Sequence, residues 1–382
     1  MRLDKLFEFF ASLKLSVVIL TLSGVLVFWG TLAQVKLGLY QAQHEFFRSF
    51  LIYWSPAGSD LRIPIFPGGY TLGFLLLLNL LASQIKTFEL SWRKFGLQLV
   101  HVGIMLLLVG QLATDLLSVE STMHIREGGS KNYSEMDRFA ELVIVEELPG
   151  DKQRVSAIPQ KQLADGKEFR LADLPFTVRV QRYFPNSRVG QRDATTTLPA
   201  AATQGVGAQA FVQPAPLETA MNRRDMPSAI VELIRPGGSL GSWLATYWLE
   251  RPQSFTVEGR NFQISMRPRR LYKDYTIYLE SFRHEVYPGT RIPKDFSSMV
   301  RVVNHRTGEE RPVRIYMNNP LRYGGETYYQ ASFDQDDKGT VLQVVRNPSW
   351  LTPYFGCLIV GIGLCWQFLA HLIPFLKRKV AP

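Results

Sequence analysis

The sequence predicts a membrane protein of mixed α and β structure, with four transmembrane helices and one large antiparallel β domain. Three observations lead to this prediction. Four apolar segments are long enough to cross a bilayer as helices. Clusters of basic residues flank these segments in an alternating order. Between the third and fourth segments, apolar and polar residues alternate with a period of two, which is typical of half-buried β-strands.

The four apolar segments divide the chain of 382 residues into an N-terminal membrane region, 1–118, and a closing region, 350–382. A bilayer core about 30 Å thick needs about 20 apolar residues in helical conformation. The predicted spans are at about 13–35, 69–85, 95–117 and 351–376. The first apolar run is too long for a signal peptide, so we interpret it as a retained helix.

The basic residues beside the spans predict their direction, because Lys and Arg accumulate on the cytoplasmic side of short loops. With four alternating spans, three basic clusters fall on one side. They are Arg2, Lys5 and Lys14, then Lys86, Arg93 and Lys94, and finally Lys377, Arg378 and Lys379. Both termini are therefore expected in the cytoplasm, and the β domain, residues 119–349, is expected on the other side.

The β domain is predicted from short alternating segments separated by turn residues, which indicate a sandwich-like antiparallel fold. The predicted strands are 139–147, 175–184, 228–234, 255–266, 275–282, 298–305, 326–333 and 340–347. Residues 195–216 differ, because they are rich in Ala, Thr, Gln, Gly and Pro. We expect a loose surface loop there, and a boundary between two β subdomains.

Composition excludes several classes of function. The net charge is +10, but Lys and Arg are scattered along the chain, so nucleic-acid binding is not indicated. The two cysteines, Cys357 and Cys365, both lie in the last apolar segment, so the β domain has neither a disulfide nor a Cys-ligated zinc. The sequence has no phosphate-binding Gly loop, H-E-x-x-H, nucleophile elbow or C-x-x-C-H motif, so soluble enzyme chemistry is not indicated.

Two histidines lie inside predicted spans, where ionisable residues are rare and usually functional. His101 is about six residues into the third span, and His371 is near the cytoplasmic end of the fourth. A neutral imidazole at such a depth either ligates haem iron or hydrogen-bonds a neighbouring helix, and at this point both interpretations of His101 stay open. For His371 the packing or interfacial role is favoured. Two imidazoles at one depth would be able to hold one haem.

A third candidate, His44, lies in the aromatic stretch after the first span. This stretch is expected to lie as an amphipathic helix on the outer membrane surface. Phe46, Phe47, Phe50 and Trp54 would then face lipid. His44 would be placed to meet a cofactor that emerges outside, although a solvated histidine is the favoured interpretation.

These features together resemble the ResB family, also called CcsB, of the System II cytochrome c biogenesis machinery. The resemblance covers nearly the whole chain, with three spans, a large extracytoplasmic β domain and one closing span. It also includes local motifs in a fixed order. They are Gly30-Thr31-Leu32-Ala33-Gln34, His101-Val102-Gly103-Ile104 with Gly110, Asp295-Phe296-Ser297-Ser298, Met317 to Gly325, and Tyr328-Tyr329-Gln330-Ala331-Ser332-Phe333.

The resemblance implies a function in the inner membrane of a bacterium. ResB-like proteins work with a second membrane subunit, ResC or CcsA, to deliver haem b across the membrane and attach it to apocytochrome c. His101 matches the family's proposed haem ligand. The chain is therefore expected to be a non-autonomous subunit of a cytochrome c haem lyase or synthase. A thioredoxin-like thiol reductant is a further expected partner, and no nucleic acid is expected.

Two other functions are compatible with the sequence. The chain would be a membrane-anchored β scaffold for protein partners if His101 serves packing alone. It would be a dihaem electron-transfer protein if both His101 and His371 bind haem.

Overall fold

The computed structural model describes residues 2–56, 61–89, 91–150, 152–193, 196–219, 223–290 and 292–380. The side chains of Arg2, Lys377, Arg378 and Lys379, used above to predict orientation, lie outside the described part. The chain forms two compact units. One holds the described residues of Met1–Val119, Thr219–Met221 and Arg346–Pro382, and the other those of Glu120–Glu218 and Asn222–Val345.

The first unit is helical. Its helices are α1 (Arg2–Phe10), α2 (Leu13–Leu37), α3 (Leu39–Ala42), α4 (Gly69–Thr87), α5 (Phe95–Leu117) and α6 (Thr352–Val380). A helix is thus present at each of the four predicted positions. Within the described residues, α2, α5 and α6 are long and apolar enough to cross a membrane. The α4 helix has 19 residues and contains Asn79, Ser83 and Gln84.

The polar residue Asn79 joins α4 to the start of α2. Its side chain is fully buried. The amide Nδ2 donates hydrogen bonds to the carbonyl oxygens of Phe10 at 2.6 Å and Ser12 at 3.1 Å, and the hydroxyl of Ser16 donates to Oδ1 at 2.6 Å. The amide therefore satisfies backbone groups where α1 ends and α2 begins, which offsets the cost of burying it on an apolar helix.

Helices α5 and α6 pack closely because glycines repeat every seven residues along their contact. These are Gly96, Gly103 and Gly110 on α5, and Gly356 and Gly363 on α6. A Cβ atom placed at Gly96 would lie 2.6 Å from the carbonyl oxygen of Gly363, and one at Gly103 would lie 3.0 Å from that of Gly356. Small residues allow two membrane helices to approach closely and gain van der Waals contact. We call this contact the glycine seam.

The segment after α2 packs on that helix instead of facing outward. It contains a π-helical turn, Gln43–Phe47, and a hairpin of β1 (Leu51–Trp54) and β2 (Ile63–Pro67). Phe46 is buried against Trp29, with ring centroids 5.4 Å apart. The expectation that Phe46 faces lipid was therefore wrong, because the turn directs this ring toward α2.

The second unit is built from antiparallel strands. They are β3 (Val119–Arg126), β4 (Ser130–Leu148), β5 (Lys152–Pro159), β6 (Glu168–Phe169), β7 (Thr177–Phe184), β8 (Ser187–Gln191), β9 (Ala210–Pro214), β10 (Ser228–Arg235), β11 (Gly238–Thr246), β12 (Gln253–Val257), β13 (Arg260–Val286), β14 (Pro293–Asn304), β15 (Glu309–Tyr316), β16 (Leu321–Tyr323), β17 (Glu326–Phe333) and β18 (Gly339–Arg346). One ten-stranded sheet has the order β15-β14-β13-β4-β3-β18-β17-β16, with β5 and β12 pairing beside β4 and β13. A four-stranded sheet has the order β11-β10-β7-β6.

Two hydrophobic cores share the long strand β13. The first lies between the two sheets, where Val178 and Val231 of the smaller sheet meet Phe262 and Ile264 of β13. The second is enclosed by the rest of the larger sheet and includes Ile277 of β13. The sandwich-like packing follows from the alternation of inward apolar and outward polar residues along each strand.

The segment 195–216 is more ordered than its composition predicted. Residue 195 lies outside the described part. Residues 205–209 form a 3₁₀ turn and β9 follows directly. Ala202 and Ala210 are buried against Leu244. The loose loop was therefore a wrong expectation, because small side chains let this segment pack closely. A division of the domain at this point stays a prediction.

The second core contains a polar network around Glu326. Lys273 donates to Glu326 Oε1 at 2.5 Å, and the Lys273 side chain is 5% exposed. The hydroxyls of Tyr275 and Tyr328 donate to Glu326 Oε2 at 3.1 Å and 2.9 Å. Burial raises the pKa of both tyrosines well above the ordinary value. The network therefore holds these hydroxyls protonated and β17 fixed to β13.

We expect Gly363→Ala to destabilise the helical unit by about 1–3 kcal/mol, because its Cβ would overlap α5. That atom would lie 2.8 Å from the Gly96 carbonyl oxygen. The matched control is Gly361→Ala, since a Cβ there meets nothing within 4 Å. Unfolding of the chain in detergent micelles measures both changes. Equal stability of the two variants would contradict close packing at the glycine seam.

We expect Glu326→Gln to cost about 3–5 kcal/mol, because it leaves the buried ammonium of Lys273 without a charged partner. The control is Glu310→Gln, whose partner Arg301 is more exposed, and its cost should be about 0–1 kcal/mol. Guanidinium unfolding of the whole chain, followed by tryptophan fluorescence, compares them. Similar midpoints for both variants would show that the Lys273–Glu326 pair is not important for stability.

Candidate functional site

His101 has one ring nitrogen fixed and the other available. Its Nδ1 lies 3.0 Å from the carbonyl oxygen of Leu97, one turn earlier on α5. A carbonyl oxygen accepts hydrogen bonds only, so Nδ1 carries the proton. The neutral tautomer therefore has its lone pair on Nε2, and no hydrogen bond to that atom is formed by the described residues. A backbone hydrogen bond of this kind orients many metal-ligating histidines.

The position of His101 on α5 places it away from α6. With 3.6 residues per turn, His101 is about 160° around the helix from Gly103, which lies in the glycine seam. It is about 40° from Asp115, four turns farther along the same helix. Asp115 accepts a hydrogen bond from the hydroxyl of Tyr70 on α4. His101 therefore lies on the side of α5 that faces α4, and α4 packs against α5 less extensively than α6 does.

The surroundings of His101 are mostly apolar. The imidazole is half-buried. Leu97, Val102 and Ile104 beside it are 46%, 43% and 36% exposed. Gln98, one turn earlier, is only 7% exposed, and its Oε1 has no hydrogen-bond partner among the described residues. An imidazole nitrogen without a hydrogen bond and an amide oxygen without a partner thus lie about one turn apart on α5, beside apolar side chains.

His371 has the same local geometry but lies at another level. Its Nδ1 is 2.8 Å from the carbonyl oxygen of Gln367, which also leaves Nε2 available. The facing glycines of the seam place His101 level with residues 358–362 of α6. His371 is about ten residues farther along α6, or roughly 15 Å. The structure does not bring the two imidazoles to one depth.

His44 lies on the π-helical turn Gln43–Phe47, which follows α3. It is exposed on the π-helical turn, and its ring packs on Tyr40 with centroids 4.6 Å apart. Nearby, Arg48 Nε lies 2.7 Å from Asp115 Oδ1. The Asp115 carboxylate therefore links the turn, α4 and α5. Sequence reasoning overlooked Asp115, although a single acid near the end of an apolar span is a usable signal.

Charged and aromatic groups also lie at the N-terminal end of α5, opposite to the end that carries Asp115. Lys94 forms an ion pair with Glu89, and its ammonium holds the pKa of that carboxyl below the ordinary value, mainly through a hydrogen bond. Trp366 of α6 donates from Nε1 to the carbonyl oxygen of Trp92 at 2.9 Å, and its ring packs on Phe95. These contacts fix α6 to the turn that precedes α5. Gln98 was also overlooked, because its burial depends on helix packing that the sequence does not reveal.

Comparison with known proteins gives a consistent result. Residues 237–341 match the ResB-like family. The chain is 26% identical over 298 residues to Protein NrfI of Wolinella succinogenes, covering 77% of this chain and 29% of that protein. It is 30% identical over 96 residues to the cytochrome c biogenesis protein CcsB of Synechococcus elongatus, covering 25% of this chain and 21% of that protein. A second Synechococcus CcsB matches equally.

The chain therefore spans less than a third of the length of these relatives. The matched family segment lies in the β unit and includes the motif from Met317 to Gly325. The expected resemblance is confirmed: residues 237–341 match the ResB-like family, and the chain is similar to Protein NrfI and to the cytochrome c biogenesis protein CcsB.

Proposed function

We propose that the chain is the haem-handling subunit of a System II cytochrome c synthase and works with a ResC/CcsA-type membrane partner. His101 holds haem b within the membrane, and the complex attaches it to apocytochrome c. Haem is here the substrate of the reaction. The observation that carries the proposal is the tautomer of His101, in which the Leu97 carbonyl fixes Nδ1–H and leaves Nε2 for iron. The similarity to proteins named for cytochrome c biogenesis supports it.

The residues around His101 fit this substrate. Haem is flat and largely apolar, and it needs axial ligands from the protein. Exposed Leu97 and Ile104 provide apolar surface beside the imidazole. The side of α5 that carries His101 is less closely covered than the glycine seam. A flat ligand therefore has an axial nitrogen and an apolar wall on one helix face.

The proposed membrane arrangement has four spans, with α4 as the second. The basic clusters at both termini and in the turn between α4 and α5 face the cytoplasm. His101 is then near the cytoplasmic side of an inner bacterial membrane, where haem enters. The β unit is extracytoplasmic and serves as the docking surface for apocytochrome c and for a thioredoxin-like reductant.

The second axial ligand is proposed to come from the partner subunit. His371 is unsuited to share a haem with His101, because the two imidazoles are about 15 Å apart along the helix pair. A dihaem electron-transfer protein would therefore need two separate haem sites. A scaffold without haem remains the alternative if His101 has no ligand role.

The proposal predicts that His101→Ala removes or greatly weakens the Soret band of the chain purified with its partner. Cytochrome c maturation should fall by at least about tenfold, because an iron ligand is lost. Added imidazole should restore part of the band, since it replaces the missing ligand atom. Visible spectra and haem staining of mature cytochrome c measure these effects.

The matched control is His371→Ala, which removes an imidazole with the same backbone hydrogen bond from the other helix. It should keep the wild-type spectrum. A His101→Ala complex with unchanged spectrum and normal maturation would contradict the proposal and favour the scaffold. Loss of the band in His371→Ala alone would move the haem site to α6.

A further inference from the structure

We propose that Gln98 and Lys94 bind the carboxyl groups of the porphyrin whose iron His101 holds. This inference rests on the proposed function and deepens it, because it assigns the orientation of the substrate. The carboxyl edge would point toward the start of α5. We call Gln98, Lys94 and the first-turn N–H groups of α5 the carboxyl subsite.

Gln98 provides the first observation. Its side chain is 7% exposed, and the buried Oε1 has no partner among the described residues. A buried acceptor without a partner is unfavourable, so a group that donates a hydrogen bond to it is bound more tightly. A protonated carboxyl group pairs well, because its O–H donates to Oε1 while the amide Nε2 donates to its carbonyl oxygen.

The start of α5 provides the second observation. Within the described residues, the N–H groups of Gly96 and Leu97 donate no backbone hydrogen bond, and Lys94 gives no side-chain cap. Unpaired N–H groups and the helix dipole attract negative charge to the start of a helix. The start of α5 therefore stabilises an ionised carboxylate, whereas Gln98 pairs with a protonated carboxyl group.

Lys94 adds a positive charge on the same side of the helix. Seven residues before His101, it is about 20° away around α5. Its ion pair with Glu89 joins two groups that are each more than half exposed. An exposed pair of this kind contributes little to stability, so a carboxylate of the ligand is able to replace Glu89 at little cost.

The spacing of the three side chains suits a porphyrin. Gln98 is three residues before His101, about 4.5 Å along the axis, and Lys94 is about 10.5 Å before it. A porphyrin has its iron at the centre and both carboxyl groups on one edge. With the iron at His101 Nε2, that edge reaches the turns that carry Gln98 and Lys94. The opposite, apolar edge then faces the middle of the span.

The test compares iron protoporphyrin IX with its dimethyl ester, titrated by absorbance into the purified full chain in detergent micelles. The ester cannot donate an O–H or carry charge. Wild type should bind the free acid about tenfold more tightly than the ester, the ratio expected from one or two hydrogen bonds. Gln98→Leu should reduce this ratio several-fold, and Gln98→Glu should do so by repulsion. Lys94→Met should also reduce it.

The matched control is Gln111→Leu, which replaces an exposed glutamine of the same helix and should keep the ratio. His101→Ala should weaken binding of both iron compounds. It should keep the preference for acid over ester when metal-free protoporphyrin IX and its dimethyl ester are followed by fluorescence. Unfolding curves show that each variant is folded.

Two results would overturn the inference alone. One is equal binding of acid and ester by wild type, and the other is an unchanged ratio in folded Gln98→Leu and Lys94→Met. If wild type binds neither iron compound, alone or with its partner subunit, the proposed function itself is contradicted, and the carboxyl subsite with it.

Discussion

The close approach of α5 and α6 through the glycine seam is the constraint on which the helical unit depends. Backbone atoms of Gly96 and Gly363 are so near that neither position accepts a Cβ without movement. This contact fixes both the rotation of α5 and its level against α6. Because α5 cannot rotate, the side that carries His101 is held away from α6, and the histidine of α6 is held at a different depth.

The two sides of α5 therefore differ in the residues that they carry. The side in the glycine seam packs against α6, and its small residues allow this close contact. The other side carries Gln98, His101 and Asp115 of α5, with Lys94 directly before the helix. Asp115 binds Tyr70 at one end, and the turn with Trp92 holds the other. The proposed ligand site therefore lies on a side of α5 whose position is determined by the packing of the opposite side against α6.

In the β unit, packing around one long strand, β13, determines how the other strands are arranged. Strand β13 runs through both cores, so its residues from Phe262 to Ile277 belong to two hydrophobic clusters. The buried pair of Lys273 and Glu326 lies in this region and costs desolvation that its hydrogen bonds offset. Such a pair favours one arrangement of β17 on β13, which a purely apolar core would specify less strictly.

Much of this structure was predictable from local patterns. The apolar segments predicted the helices at 13–35, 69–85, 95–117 and 351–376 within a few residues, because length and composition alone determine them. The alternation of apolar and polar residues predicted the strands. Where it predicted two strands, at 255–266 and 275–282, the structure has the short strand β12 and a continuous β13, which pair as a hairpin. The turn at Glu258 and Gly259 interrupts the first, and nothing local required a break between 266 and 275.

The features that sequence reasoning overlooked depend on distant residues. Phe46 is buried because a π-helical turn directs it to Trp29. The burial of Gln98 likewise depends on tertiary structure and not on a local pattern. His101 itself was found from its position in an apolar span. Its tautomer, which carries the functional argument, required the geometry of the Leu97 carbonyl.

The most direct test of the central claim is the identity of the nitrogen bound to iron. Histidine labelled with nitrogen-15 at Nε2 would be incorporated into the chain, and the hyperfine coupling to haem iron would be measured in the complex with the partner subunit. If His101 is the axial ligand, the spectrum should show a directly bonded Nε2 whose signal from this chain disappears in His101→Gln and persists in His371→Gln. A signal that survives in His101→Gln, or coupling to Nδ1 instead, would contradict it.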